Sequence, residues 1–129
     1  KCGQDANLDE IGWYCGNSTA DYGQCIDASE KGGVICAGTH PVAQKKPNQW
    51  GLYDTAGGVY EWVWDRYQDD FYGLGPTEDP TGPDAGEDRC LRGGCFAHSA
   101  SGTRPSIRFS YAPKVPSASN GFRPVRTVP

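Results

Sequence analysis

The clearest alternation of apolar and polar positions lies between Val59 and Trp64. Because successive strand side chains point to opposite faces, Val59, Glu61 and Val63 share one side and Tyr60, Trp62 and Trp64 the other. This predicts a central strand, aromatic on one face. Arg89 to Phe96 reads as a second strand, in which Gly93 and Gly94 permit a bulge or a close backbone approach. Val34 to Ala37, Ile107 to Tyr111 and Gly121 to Val125 read as further short strands. Helical periodicity is confined to a single turn, where Asn7 as N-cap and Glu10 as its return partner precede Ile11 and Trp13. Between Gly16 and Gly33 the chain is polar and glycine-containing, which predicts a long loop held by its cysteines. Pro41 to Pro47 reads as a turn-rich connection, and Asp65 to Asp88 as an irregular, mobile surface excursion.

Composition sharpens this picture. The chain has 129 residues, near the size of one domain, so residues 1–129 are expected to share one core. Only 36% are hydrophobic, with 18 Gly and 10 Pro, a balance that favours short strands and turns over amphipathic helices. Four Trp, seven Tyr and four Phe point to an aromatic-rich core. A net charge of -4 without any basic stripe argues against nucleic acid as a partner. No apolar run is long enough to span a membrane. Six cysteines, Cys2, Cys15, Cys25, Cys36, Cys90 and Cys95, suggest disulfides and an oxidising compartment: secreted, extracellular or periplasmic. They are too scattered for a zinc knuckle. Six cysteines allow 15 pairings, among which Cys25 with Cys36 is favoured because both lie in one apparent loop. The chain starts at Lys1 and shows no signal peptide, which fits a processed product or a fragment.

The run from Asn48 to Trp62, NQWGLYDTAGGVYEW, resembles the signature of the formylglycine-generating-enzyme (sulfatase-modifying factor) family, N-x-[WFY]-G-L-Y-D-M-x-G-N-V-W-E-W. Arg89 to Phe96 is similar to that family's R-V-x-R-G-G-S-W, Arg104 to Arg108 to its R-x-x-x-R, and Gly121-Phe122-Arg123 to its closing G-F-R. Asn7 to Tyr14 and His40-Pro41-Val42 look like further pieces, with Ser18 to Gly38 as an insertion. The resemblance implies an α+β chain with little regular secondary structure: a C-type-lectin-like fold with short antiparallel strands, long loops and bound calcium. It also implies that the N-terminal half of the family domain is missing here, so another polypeptide or a larger assembly is the expected partner. Aromatic residues such a partner would cover are Trp13, Tyr14, Tyr67, Phe71 and Tyr72.

Enzymes of that family oxidise a sulfatase cysteine with two thiols, five residues apart, that bind copper(I) between R-G-G-S-W and R-x-x-x-R. Thiolates suit that task because they are soft ligands. No cysteine follows Cys95, and the corresponding positions hold His98 and Thr103. Cys90 and Cys95 replace the Val and Ser of the strand motif, where pairing with other cysteines is the favoured fate. The reading therefore favours a noncatalytic, calcium-stabilised binding or assembly module over a copper- or thiol-dependent oxidase. A carbohydrate-binding module is a further alternative, though the sugar-binding tripeptides of C-type lectins are absent. Mapped from the family, the calcium ligands are Asp54, Gly57, Val59 and Glu61. Calcium requires several hard oxygens, and glycine lets backbone carbonyls turn toward an ion. In place of the family's Asn, this chain has Gly58.

Overall fold

The computed structural model describes residues 2–28, 33–74 and 78–125; the side chains of 21–36 and 74 lie outside that description. Helix α1 (Ala6–Ile11) leads into β1 (Gly12–Trp13), then β2 (Thr19–Ala28), β3 (Gly33–Ala37), β4 (Ala56–Gly57) and β5 (Tyr60–Arg66). A short helix α2 (Phe71–Leu74) precedes β6 (Arg89–Arg92), a 3-10 turn (Ala100–Thr103), β7 (Phe109–Tyr111) and β8 (Asn120–Gly121).

The cap of α1 is Asp5, not Asn7. Its Oδ1 accepts from the backbone N–H groups of Asn7 and Leu8 at 3.1 Å each, satisfying donors that a first helical turn leaves unpaired. Asp5 sits one place before the helix and Asn7 is already inside it. Glu10 turns outward to Lys46 at 3.0 Å instead of returning to the cap.

From Thr19 onward the expected loop is an antiparallel hairpin, β2 with β3, interrupted by a register shift between Thr19 and Gln24. Its ladder satisfies backbone groups that a polar segment would otherwise leave to water, so pairing does not require apolar alternation. At its base Ser18 is fully buried and donates its hydroxyl to the Phe96 carbonyl at 2.7 Å, and Ala37 closes the other side. The register sets Cys25 opposite Cys36; whether their sulfurs join lies outside the described residues.

The largest sheet has the order β7-β6-β5-β8. β5 is flanked on both sides, antiparallel to β6 and parallel to β8, with Glu61 opposite Gly121. β1 and β4 also run parallel, so the expected short strands are not all antiparallel. Along β5 the aromatic face passes from core to solvent. Tyr60 packs with Leu91 and Cys95, Trp62 lies partly buried against Tyr111, and Trp64 is exposed.

Tyr14, expected at an outer surface, is fully buried, with its hydroxyl donating to Asp9 at 2.8 Å. Cys2 and Cys15 form a disulfide beside it. Cys90 and Cys95 do not pair: both carry free, buried thiols. Leaving β6 at Arg92, the chain turns through Gly93 and Gly94 so that Cys95 enters the core, while Cys90 is held between the Arg66 carbonyl and Arg108. Among the described residues no helix is long and apolar enough to cross a membrane.

Candidate functional site

The family-like loop from Asp54 to Glu61 forms one wall of a cleft of about 520 Å³. Trp13 and His40 form a second wall, Leu52 and Tyr53 a third, and Phe122 to Pro124 close the fourth. Trp13 and His40 stack with centroids 3.7 Å apart, and Lys45 lies over the Trp13 ring at 4.0 Å. Cleft size and lining match those of ordinary small-ligand sites, mostly apolar with a few convergent polar groups.

Backbone geometry explains how the loop is held. Gly57 has φ +75° and runs so close to β1 that a Cβ would lie 1.9 Å from the Trp13 carbonyl oxygen. Its N–H donates to Gly93 at 2.7 Å, and the Gly58 N–H donates to Trp13 at 2.7 Å. Two residues with side chains in the cleft lining also adopt left-handed backbone, Ala43 at φ 58° and Asp54 at φ 54°. A single bond joins them, the Ala43 N–H donating to Asp54 Oδ2 at 2.8 Å. Left-handed conformations cost side-chain-bearing residues about 1–2 kcal/mol each, and such strain gathers where a site must be shaped.

The four residues mapped as calcium ligands all line this cleft. Asp54 Oδ1 is buried and has no hydrogen-bond partner. An oxygen sealed from water can still meet calcium, which approaches to about 2.3–2.6 Å, closer than the roughly 2.7–2.8 Å of a water hydrogen bond. Glu61 is more engaged. Arg123 Nε donates to both its oxygens at 3.0 and 3.1 Å, and Nη2 donates to Oε1 at 2.5 Å. The same Nη2 reaches the Asp54 carbonyl at 3.1 Å. This pairing raises the guanidinium's pKa further above its ordinary value. Three Arg123 contacts take most of the roughly four acceptor positions that a carboxylate offers, so an ion at Glu61 has to compete with the guanidinium. The donor set is hard and anionic, and fits calcium. Among the described residues, this cleft included, no cluster of three or more His, Cys, Asp or Glu side chains could hold a metal, so an ion here would depend on backbone oxygens beside the two carboxylates.

At the two positions where the resemblance implies copper-binding thiols, His98 and Thr103 belong to the packing. His98 stacks on Phe109 with centroids 5.0 Å apart, and its Nδ1 lies 2.5 Å from the Tyr60 hydroxyl. Burial pushes its pKa below the usual imidazole value and pushes that of the Tyr60 hydroxyl well above the usual phenol value. Thr103 is buried and donates to the Ala100 carbonyl at 2.9 Å. Burial also raises the Cys95 thiol, which disfavours the nucleophilic thiolate.

Sequence reasoning did not single out Arg123, Trp13 with His40, or Ala43 as parts of this site. Arg123 carried a signal as the last residue of the G-F-R motif; Ala43 carried none, because its role depends on a backbone angle.

The family model for the sulfatase-modifying factor enzyme 1-like domain matches residues 7–128. A formylglycine-generating enzyme of Streptomyces coelicolor is 41% identical over 88 residues, covering 66% of this chain and 28% of the relative. The Chlamydia pneumoniae serine/threonine-protein kinase pkn1 is 37% identical over 108 residues, covering 82% of this chain and 17% of the kinase. The solved structure of Treponema denticola variable protein 1 superposes with a TM-score of 0.72 at 36% identity, covering 92% of this chain and 37% of that one. The chain thus spans less than a third of either curated relative. Its short strands and sparse helix are those of the formylglycine-generating-enzyme type of fold.

Proposed function

The chain belongs to the sulfatase-modifying factor enzyme 1-like family, and from that premise we propose that it is a noncatalytic, calcium-stabilised binding or assembly module working outside the cytosol. The observation that carries this reading is the fate of the two positions at which the resemblance implies oxidising thiols. His98 and Thr103 occupy them, and both are built into the packing around Tyr60 and Gly94. A ring wedged between Tyr60 and Phe109 is poorly placed to bind copper or to meet a substrate. The free thiols among the described residues, Cys90 and Cys95, are buried.

Calcium would be held by the side chains of Asp54 and Glu61 and the backbone of Gly57 and Val59, and it would tie the loop to β5 without chemistry of its own. The unpartnered Asp54 Oδ1 supports this assignment. Location outside the cytosol is supported by the Cys2–Cys15 disulfide. A polypeptide partner is supported by the small share of each relative that this chain represents and by large apolar side chains facing solvent, Trp50, Trp64 and Phe122 among them. Of the aromatics expected at that interface, Tyr14 is internal and Tyr67 and Tyr72 already flank Arg108, so Tyr72, half exposed, retains free surface.

Copper(I) titration with thiol counting tests the proposal. Two thiols are expected to react only after unfolding, with no stoichiometric copper(I) complex in the folded chain. A sulfur-ligated copper complex that consumes oxygen with a cysteine peptide would restore the oxidase reading.

A further inference from the structure

We propose that Arg123 is a resident cation on Glu61 which calcium must displace, so that ion binding at the 54–61 loop releases the cleft wall formed by Phe122 to Pro124. This inference rests on the calcium reading above and concerns how that site is gated.

Three observations meet here. The Arg123 guanidinium covers both oxygens of Glu61 and also takes the Asp54 carbonyl, so one side chain neutralises the loop that calcium would neutralise. The two ligand side chains stand in opposite conditions: Glu61 is paired, whereas Asp54 Oδ1 is sealed and unpartnered. The ligand pair is therefore lopsided, with an unpartnered oxygen at the aspartate and a tethered cation on the glutamate. Finally, Arg123 is the second residue after the two-residue β8, which meets β5 at Tyr60–Asn120 and Glu61–Gly121. The side-chain anchor of 122–125 is thus Arg123 itself, next to a highly exposed Phe122.

A divalent ion bound to Glu61 would share that carboxylate with a guanidinium. Two cations on one anion repel each other, and the ion carries the larger charge. Displaced from Glu61, Arg123 loses the two-oxygen contact that fixes it, and the segment carrying Phe122 loses its anchor. The cleft would widen on the side of the exposed Phe122. Coupling of this kind is reciprocal: whatever holds Arg123 in place must weaken calcium, and calcium must loosen Arg123.

The experiment is calcium titration of the full chain, wild type against Arg123→Gln, read by calorimetry. In parallel, the Arg123 side-chain Nε–H signal of the wild type is followed by 15N NMR. Calcium is expected to bind Arg123→Gln at least tenfold more tightly, and to abolish the hydrogen-bonded Nε–H signal in the wild type. Equal or weaker binding by the variant, or a wild-type signal unchanged at saturating calcium, overturns the displacement and leaves the calcium site standing. No binding by either protein overturns the calcium site and the displacement with it. If Arg123→Gln does not fold, the wild-type signal decides alone.

Discussion

Two arginines fasten the irregular parts of this chain to its sheet, and they do so by different physics. Arg123 holds the segment after β8 through a carboxylate, in an ion pair about a quarter to a third exposed: 31% of the Arg123 side chain and 26% of Glu61. Arg108 holds the excursion after β5 with no ion pair among the described residues. Its guanidinium lies 4.9 Å from the Tyr67 ring and 4.7 Å from the Tyr72 ring, and it donates to the Gln68 carbonyl at 3.0 Å. Arg92 braces the same corner from below, donating to the Tyr72 hydroxyl and to the carbonyls of Pro105 and Ile107. One corner is a charge lock that another cation can contest. The other is a stack of rings and carbonyls in which Arg108 has no carboxylate partner for a second cation to take, among the described residues. Both arginines belong to family-like motifs, so the same kind of motif residue serves one part of the fold that can switch and another that cannot.

The largest effect is expected where the switchable corner depends on backbone alone. Gly57→Ala places a methyl against the Trp13 carbonyl in a left-handed conformation. It should cost roughly 3–5 kcal/mol, measured by urea denaturation. A loss below about 1 kcal/mol would mean that the β1–β4 contact adapts and that the corner is softer than described.

Next come the arginines themselves. Arg108→Ala should cost about 2–3 kcal/mol, from two cation–π contacts and its hydrogen bonds. Arg123→Gln should cost about 1 kcal/mol at low salt, given its partial exposure. In 1 M NaCl, where the Debye length is about 3 Å, the Arg123 loss should shrink and the Arg108 loss should persist. If both fall together, the two corners are held alike and the contrast fails.

Acidification separates both corners from the core between them, since arginine does not titrate in the accessible range. Burial lowers the His98 pKa below its unfolded value near 6.5. The unfolded chain therefore binds a proton that the folded chain resists, and stability from this residue is complete above about pH 6.5 and declines as pH falls below it. Protonating both ring nitrogens also removes the acceptor facing the Tyr60 hydroxyl. Melting temperature should fall from pH 7.5 to 5.5 in the wild type and fall less in His98→Gln. Identical slopes would place the acid sensitivity elsewhere.

The smallest effect concerns strain opposite Arg123. Ala43→Gly relieves a left-handed alanine and should be stabilising by a few tenths of a kcal/mol to about 1 kcal/mol. A destabilised variant would show that Ala43 contributes packing that outweighs its backbone cost.

Sequence patterns revealed the strands whose side chains alternate or whose β-branched residues cluster. β3 lies within a residue of its expected start, and β5 begins at Tyr60, one residue later than expected, and runs on to Arg66. The hairpin arm β2 was hidden because its ladder is a backbone matter in a polar segment, which composition reads as loop. Cys90 and Cys95 depart from the expected pairing for a related reason, whereas Cys2 and Cys15 do pair. The number of cysteines suggests an oxidised framework, but whether a sulfur finds a partner depends on which way the chain turns after Gly93 and Gly94. At the site, Asp54 and Glu61 were legible because the motif is contiguous. Arg123 as their counter-charge was not, because it reaches them only after the last strand has closed on β5.

That last closure bears on how the molecule comes into being. β4 and the start of β5 receive β1 at Gly12–Ala56 and β8 at Glu61–Gly121, so the earliest and the latest strands converge on one short stretch. Pairings between residues this remote in sequence close large loops before they gain contacts, which slows folding toward the millisecond-to-second range. A chain emerging from the ribosome keeps one side of β5 open until Asn120 has been made. During that interval Glu61 lacks its guanidinium, and an ion, a chaperone or a neighbouring strand can reach it first.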